Sequence, residues 1–257
     1  MSFHDWWTNE NNPSLPKSEY LYGTRHIIVL VTAAVLTILF SLLFYKKSEK
    51  ARRIVVVTLV SILLMFEIVS RVVNLCIETD YSWQNILKIL LPMHICSVMV
   101  WIFIIAIFSK SKALLDFSAV GGFLATISFL LFPAVGLNRT YMSFTCIYST
   151  VSHMIGFMCS ILVIVYGFAK LEFKNIWKTY LCFTVMFCWG ALLDFVIFPG
   201  SDYMYLRNNP VNFDFWGIPY QVFGVLAIIV YVALFYLVVW LCKLPARKKN
   251  AEQSEQV

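Results

Sequence analysis

Four side chains in this sequence have the chemistry for covalent work: Cys96, His94, His153 and Glu67. A cysteine sulfur attacks a carbonyl carbon when a neighbouring base takes its proton. A carboxylate completes such a set by orienting an imidazole. All four lie within long apolar runs. An ionisable group there costs at least about 2.5–3.5 kcal/mol, so it marks function or a structural ion pair. His94 and Cys96 are two residues apart and would point about 200° apart on a regular helix. His153 is therefore the better partner for the sulfur, and His94 is second choice. Pro92, just before them, removes a backbone donor, frees the carbonyl of Lys88 and predicts a kink that opens room beside His94 and Cys96.

Glu67 belongs to a polar stripe. Glu67, Ser70, Arg71, Asn74 and Glu78 recur at spacings of three and four, so they share one helix face. Glu67 can orient one of the histidines, or can pair with Arg71 and simply fasten helices together. Arg71 can hold a lipid phosphate or a carboxylate.

The elements that position these residues follow from composition. The chain has 257 residues, 60% apolar and only 13% charged. Its mean hydropathy is +0.78. Soluble domains average roughly 25% charged residues. A soluble enzyme, a disordered chain and a nucleic-acid binder are all excluded. Seven apolar runs stand out, at about 26–45, 54–77, 86–108, 113–135, 144–168, 176–198 and 220–242. Each can cross a bilayer core of about 30 Å. The fold class expected is all-α: a single bundle of seven transmembrane helices spanning residues 1–257, with a polar tail at 245–257. The fourth run is interrupted by Gly121, Gly122 and Pro133.

Fourteen of the 20 basic residues fall in alternate loops: 46–53, 110–112, 170–178 and after 242. The excess of Lys and Arg on one side predicts an N-terminus outside and a C-terminus in the cytoplasm. Trp83 and Trp216 would sit at the outer boundary, Trp177 and Trp240 at the inner one. The one long loop, 199–219, is rich in turn residues and aromatics and reads as an ordered cap. In this frame Glu67 lies about 15 Å below the outer end of its span, His94 about 12 Å, Cys96 about 15 Å and His153 about 14 Å. Shared depth from three spans predicts one polar pocket near the midplane.

These residues resemble the YwaF-like bacterial membrane family. The resemblance rests on Leu91-Pro92-Met93-His94-Ile95-Cys96 in the third span, His153 in the fifth and Glu67 in the second. Gly121, Gly122 and Pro133 match a glycine pair with a later proline. Asp202, Tyr203, Met204, Tyr205, Leu206 and Pro210 match an element after the sixth span, and His26 fits the first. The pattern departs at Ser97, where the family usually has an acid, and at Asp202 and Asp194, where it usually has asparagine. The family is similar to a vertebrate transmembrane protein that acylates ether lysophospholipids. The resemblance thus implies a phospholipid acyltransferase with Cys96 as nucleophile and His153 or His94 as base. The substrate contacts expected are Arg71, Asn74, Asp194, Asp202 and Tyr203.

The partners expected are membrane lipids, a phospholipid donor and a lysophospholipid acceptor, in the plasma membrane of a bacterium. No nucleic acid and no cofactor is expected, and the sequence does not set the oligomeric state. A transporter or proton-coupled carrier with a midplane polar site fits the same residues. So does a membrane scaffold without catalysis. A metal site from Glu67, His94, Cys96 and His153 is chemically open, but its spacing is not diagnostic. The seventh run contains no lysine, which excludes a retinal Schiff base there. Cys76 and Cys146 lie near the same boundary, close enough along the pattern to raise a disulfide.

Overall fold

A computed structural model of the chain describes residues 6–7, 12–133, 137–208 and 219–254. Trp216, Pro210 and the end of the tail, named above, lie outside these residues. Among the described residues there is no strand, only an isolated bridge between Ser14 and Arg139. Six helices are long and apolar enough to cross a membrane, and a bent pair makes a seventh crossing if counted as one span. The protein is an all-helical, multi-pass integral membrane protein. Its contacts divide it into two compact units, Met1–Ala169 and Lys170–Val257.

The first unit holds α1 (Thr24–Phe44), α2 (Glu49–Ile77), α3 (Trp83–Leu90), α4 (Ile95–Ser109), α5 (Lys112–Leu131) and α6 (Phe144–Val165). α6 packs against α1, α2 and α5, and α4 packs against α2 and α5. Their common core is built from Val56, Val60 and Leu63 of α2, Phe103 of α4, Ala119 of α5 and Leu162 of α6. Lipid tails are as apolar as these side chains, so close packing and hydrogen bonds hold the helices together. Small residues permit that approach. A Cβ on Gly122 would stand 2.6 Å from the Phe103 ring and 2.7 Å from Ser160 Oγ. One on Gly156 would stand 2.8 Å from Thr126. The glycine pair therefore does not interrupt α5, which runs unbroken to Leu131, just before Pro133.

Polar ends are satisfied inside the unit. The His26 ring is buried, accepts the Tyr22 N–H at Nδ1 (2.9 Å) and faces the Leu130 carbonyl with Nε2 (2.6 Å). Nδ1 accepts, so Nε2 carries the proton and caps one of the last carbonyls of α5. At the opposite ends of the helices, Arg52 donates to the Tyr166 carbonyl (2.8 Å) and Arg53 to that of Ile107 (2.7 Å). Two of the basic residues read as topology signals thus also cap the ends of α6 and α4.

The third span differs from expectation. A single kinked helix over 86–108 is replaced by α3 and α4, bent by 59° across Leu91–His94. The cause is local. Leu91, before the proline, is extended (φ −81°, ψ 145°), as the proline ring demands. His94 is extended too (φ −91°, ψ 156°) and is the N-cap of α4. Their two-residue relation is thus not that of a regular helix: Cys96 lies in a first turn, His94 before it.

The second unit holds α7 (Ile176–Ala191), entered through a 3-10 turn at Phe173–Asn175, and α8 (Tyr220–Ser254). α7 runs on into a π-helical stretch, Leu192–Ile197. Buried Thr179 and Tyr236 share a hydroxyl–hydroxyl bond of 2.7 Å that ties α7 to α8.

Candidate functional site

α2 carries Glu67 and Arg71 one turn apart, and they form the ion pair their spacing predicts. Glu67 is only 2% exposed. Its first carboxylate oxygen takes Arg71 Nη2, and its second accepts the Tyr148 hydroxyl from α6. Arg71 Nη1 turns the other way, to the carbonyls of Ile89 and, at 3.3 Å, Leu91. Those carbonyls are freed where α3 ends, because the proline break removes the donors that would have met them. The guanidinium also lies 6.0 Å from the Trp101 ring centroid. Arg71 thus joins the carboxylate to the broken span, and both Nη atoms are committed inside the protein.

Cys96 follows that break in the first turn of α4 and is partly exposed. No side chain of the N-cap residue bonds the first-turn N–H groups. The N–H groups of Ser97 and of Cys96 itself fall within interaction range of the sulfur. Through Arg71 the Glu67 carboxylate and the Tyr148 phenol are linked to the extended turn that precedes Cys96.

The histidines are placed otherwise. His153 is 9% exposed; its Nδ1 lies 2.6 Å from the Ser149 carbonyl, and its ring stacks on Phe129 of α5 at 3.8 Å. The carbonyl can only accept, so Nδ1 carries the proton and Nε2 the lone pair. Glu67 orients neither histidine in this arrangement; its partners are Arg71 and Tyr148. Glu67 stands level with Tyr148, and His153 lies five residues on, about 7.5 Å further along the axis. His94 is exposed at the break.

A scan of family models matches residues 21–239 to the TMEM164 family. The chain belongs to the TMEM164 family. No curated protein and no solved structure matches it.

Asn74 of this TMEM164-family protein accepts the Trp7 indole N–H at 2.8 Å. Trp7 stacks on Phe144 at 3.7 Å, and its carbonyl takes the Thr145 hydroxyl at 2.6 Å. Trp7 is thus seated between α2 and α6, two turns of α2 from Glu67. Further along, Leu15 and Thr140 exchange backbone bonds with Asn138 and Pro13.

Asp194, Asp202 and Tyr203 belong to the second unit and form a cluster of their own. Asp194 is fully buried in the π-helical stretch and accepts the Tyr203 N–H at 3.0 Å. Arg207 donates to the Asp194 carbonyl (2.7 Å) and lies over the Phe195 ring at 4.2 Å. Asp202 accepts the N–H groups of Arg207 (3.0 Å) and Asn208 (2.8 Å). Slight burial alone would raise its carboxyl, but these backbone bonds prevail and hold it below the usual carboxylate range. The start of the expected cap, 198–208, is ordered by two aspartates; 209–218 lies outside the described residues.

Tyr148 and Trp7 are the residues that sequence reasoning missed. A tyrosine in a span near a boundary reads as an aromatic belt residue. The available signal was that Tyr148 stands one position before Ser149, on the turn preceding His153. All seven cysteines are free, including Cys76 and Cys146. Among the described residues no group of three or more His, Cys, Asp or Glu side chains could hold a metal ion.

Proposed function

We propose that the chain is an integral-membrane acyltransferase that moves acyl chains between phospholipids through a thioester on Cys96. The observation that carries this reading is the position of Cys96: first turn of α4, at a proline break whose Leu91 carbonyl is held by Arg71. A helix N-terminus favours the negative charge that develops on sulfur during attack. The sequence resemblance to a family similar to a vertebrate lysophospholipid-acylating protein supports the same chemistry by analogy.

In the first half-reaction the Cys96 S–H bond breaks and an S–C bond forms to the donor ester carbonyl. The ester C–O bond then breaks, and the lysophospholipid leaves with the proton. In the second, an acceptor hydroxyl attacks the thioester, the C–S bond breaks and the sulfur regains its proton. Exclusion of water would favour transfer over hydrolysis. The sequence favours His153 as the group that takes the proton. Arg71 serves as a brace for the site; Asp194, Asp202 and Tyr203 are proposed lipid contacts of the second unit itself. The distribution of basic residues supports an N-terminus outside and a C-terminus in the cytoplasm, and the membrane proposed is the plasma membrane of a bacterium.

The test is transfer of a labelled acyl chain from phosphatidylcholine to a lysophospholipid by the purified protein in vesicles. Transfer should occur and should vanish in Cys96→Ala. A Cys96→Ala protein as active as the parent rules the mechanism out. The broken third span favours one other reading, a carrier whose discontinuous helix lines a midplane site. A carrier would show solute or proton flux that Cys96→Ala leaves intact.

A further inference from the structure

The span end in the second unit holds two buried polar atoms of opposite kind that meet nothing. Asp194 is fully buried. Its Oδ1 accepts the Tyr203 N–H at 3.0 Å, and its Oδ2 has no hydrogen-bond partner among the described residues. Arg207 gives Nη2 to the Asp194 carbonyl at 2.7 Å, and its Nε–H, also buried, has no partner either. Native proteins leave few buried polar atoms unpaired, and in a membrane span an ionisable one marks a site. We propose that these two atoms receive a phosphoethanolamine headgroup, its ammonium on Asp194 Oδ2 and its phosphate on Arg207 Nε. The inference rests on the lipid contact proposed above for Asp194 and names the headgroup.

The position suits a lipid. Asp194 lies three residues inside the end of its span, Phe173–Ile197. That is about 5 Å, where headgroups meet hydrocarbon. It stands in the π-helical stretch Leu192–Ile197, an irregularity frequent at functional sites. Its neighbours Leu192, Phe195 and Val196 are exposed, and the Arg207 guanidinium lies over the Phe195 ring at 4.2 Å. Acyl chains would run along Phe195 and Val196, and the headgroup would turn inward beneath the guanidinium. Asp194 is enclosed, so the ammonium enters as the guanidinium lifts from that ring. Only the side chain has to move: the Arg207 N–H is held by Asp202 at 3.0 Å and its carbonyl by Gln221 of α8 at 3.2 Å.

The chemistry selects the headgroup. An ammonium has three N–H groups for Asp194 Oδ2, and the phosphate beside it accepts from Arg207. The trimethylammonium of choline has no N–H to give. Phosphoserine would bring a third carboxylate to Asp194 and Asp202. Phosphoglycerol has hydroxyls but no positive charge to set against the carboxylate.

The experiment titrates the full chain in detergent with dioleoyl lipids and counts bound lipid by native mass spectrometry. The lipids are phosphatidylethanolamine, its N-methyl and N,N-dimethyl forms, phosphatidylcholine and phosphatidylglycerol. Affinity should fall along the methyl series, by at least about tenfold from first to last, the worth of one hydrogen bond between charged groups. Phosphatidylglycerol should bind no better than phosphatidylcholine. Asp194→Asn keeps an oxygen for the Tyr203 N–H and should bring phosphatidylethanolamine down to the phosphatidylcholine level. Arg207→Ala should weaken all five lipids. Lys174→Ala, which removes an exposed cation before the other end of α7, should change nothing. Equal binding of phosphatidylethanolamine and phosphatidylcholine, or a preference that survives in a folded Asp194→Asn protein, overturns the proposal. If Asp194→Asn does not fold, the methyl series on the parent decides. If the preference holds but no acyl transfer is found, the acyltransferase reading fails and the headgroup site stands. If transfer occurs without the preference, the headgroup assignment alone fails.

Discussion

Two regions of the molecule use the same ingredients to different ends. In the first unit a span is broken at Pro92, and a buried glutamate and an arginine attend the break. In the second, α7 passes into a π-helical stretch, and a buried aspartate and an arginine attend that irregularity. Both arginines donate to backbone carbonyls at the irregularity. The difference lies in what meets the carboxylate. Glu67 is met by two side chains, a guanidinium and a phenol whose proton can move. Asp194 is met by the Tyr203 backbone N–H, whose proton cannot. The first arrangement ties two helices and a broken span together through side chains; the second fixes the course of a loop.

The largest effect should separate the two. Arg71→Ala leaves Glu67 buried without its counter-charge and should destabilise the protein by about 3–5 kcal/mol. Thermal unfolding in detergent measures it, and Glu67→Gln added to Arg71→Met should recover most of the loss. Asp194→Ala removes one hydrogen bond to a charged group, worth about 1.5–3 kcal/mol. It should speed tryptic cleavage at Arg207 while leaving Cys96 alkylation at the parent rate. Equal losses in Arg71→Ala and Asp194→Ala would break the distinction.

The smallest effect is in acid. The bound-state carboxyl of Asp202 lies below its unfolded value, so its bonds to Arg207 and Asn208 contribute in full above about pH 4. That contribution fades as pH falls through the lowered value. Tryptic cleavage at Arg207 cannot be read there, so hydrogen exchange at Arg207 and Asn208 is the measurement. Both amides should lose protection only below about pH 4, and Asp202→Asn should remove the pH dependence. A loop whose protection ignores pH would show that Asp202 is not what holds it.

Much of the layout was legible from residue pattern alone. Apolar run length fixed six spans to within a few residues, because a bilayer imposes one length on every helix. The Glu67–Arg71 pair was legible because one turn of helix brings those positions together. Pro92 announced a distortion, but its size depends on what receives the freed carbonyls. Arg71, on another helix, does so, and the span breaks outright. Tyr148 was illegible for a similar reason. Its hydroxyl matters only because α6 packs against α2 at the height of Glu67, and that register is a tertiary fact. Depth counted from span ends put His153 level with Glu67, yet Glu67 meets the residue five positions earlier. His26, part of the family pattern in the first span, caps α5 through partners that no local spacing reveals.

The claim beneath the proposed chemistry is that Cys96 becomes acylated. Purified protein can be mixed with phosphatidylcholine carrying an isotope-labelled acyl chain, quenched in acid, and digested for mass spectrometry. The account predicts one labelled chain on the Cys96 peptide, removed by neutral hydroxylamine and transferred when lysophospholipid is added before the quench. A parent protein that transfers acyl chains while its Cys96 peptide stays unlabelled would contradict it.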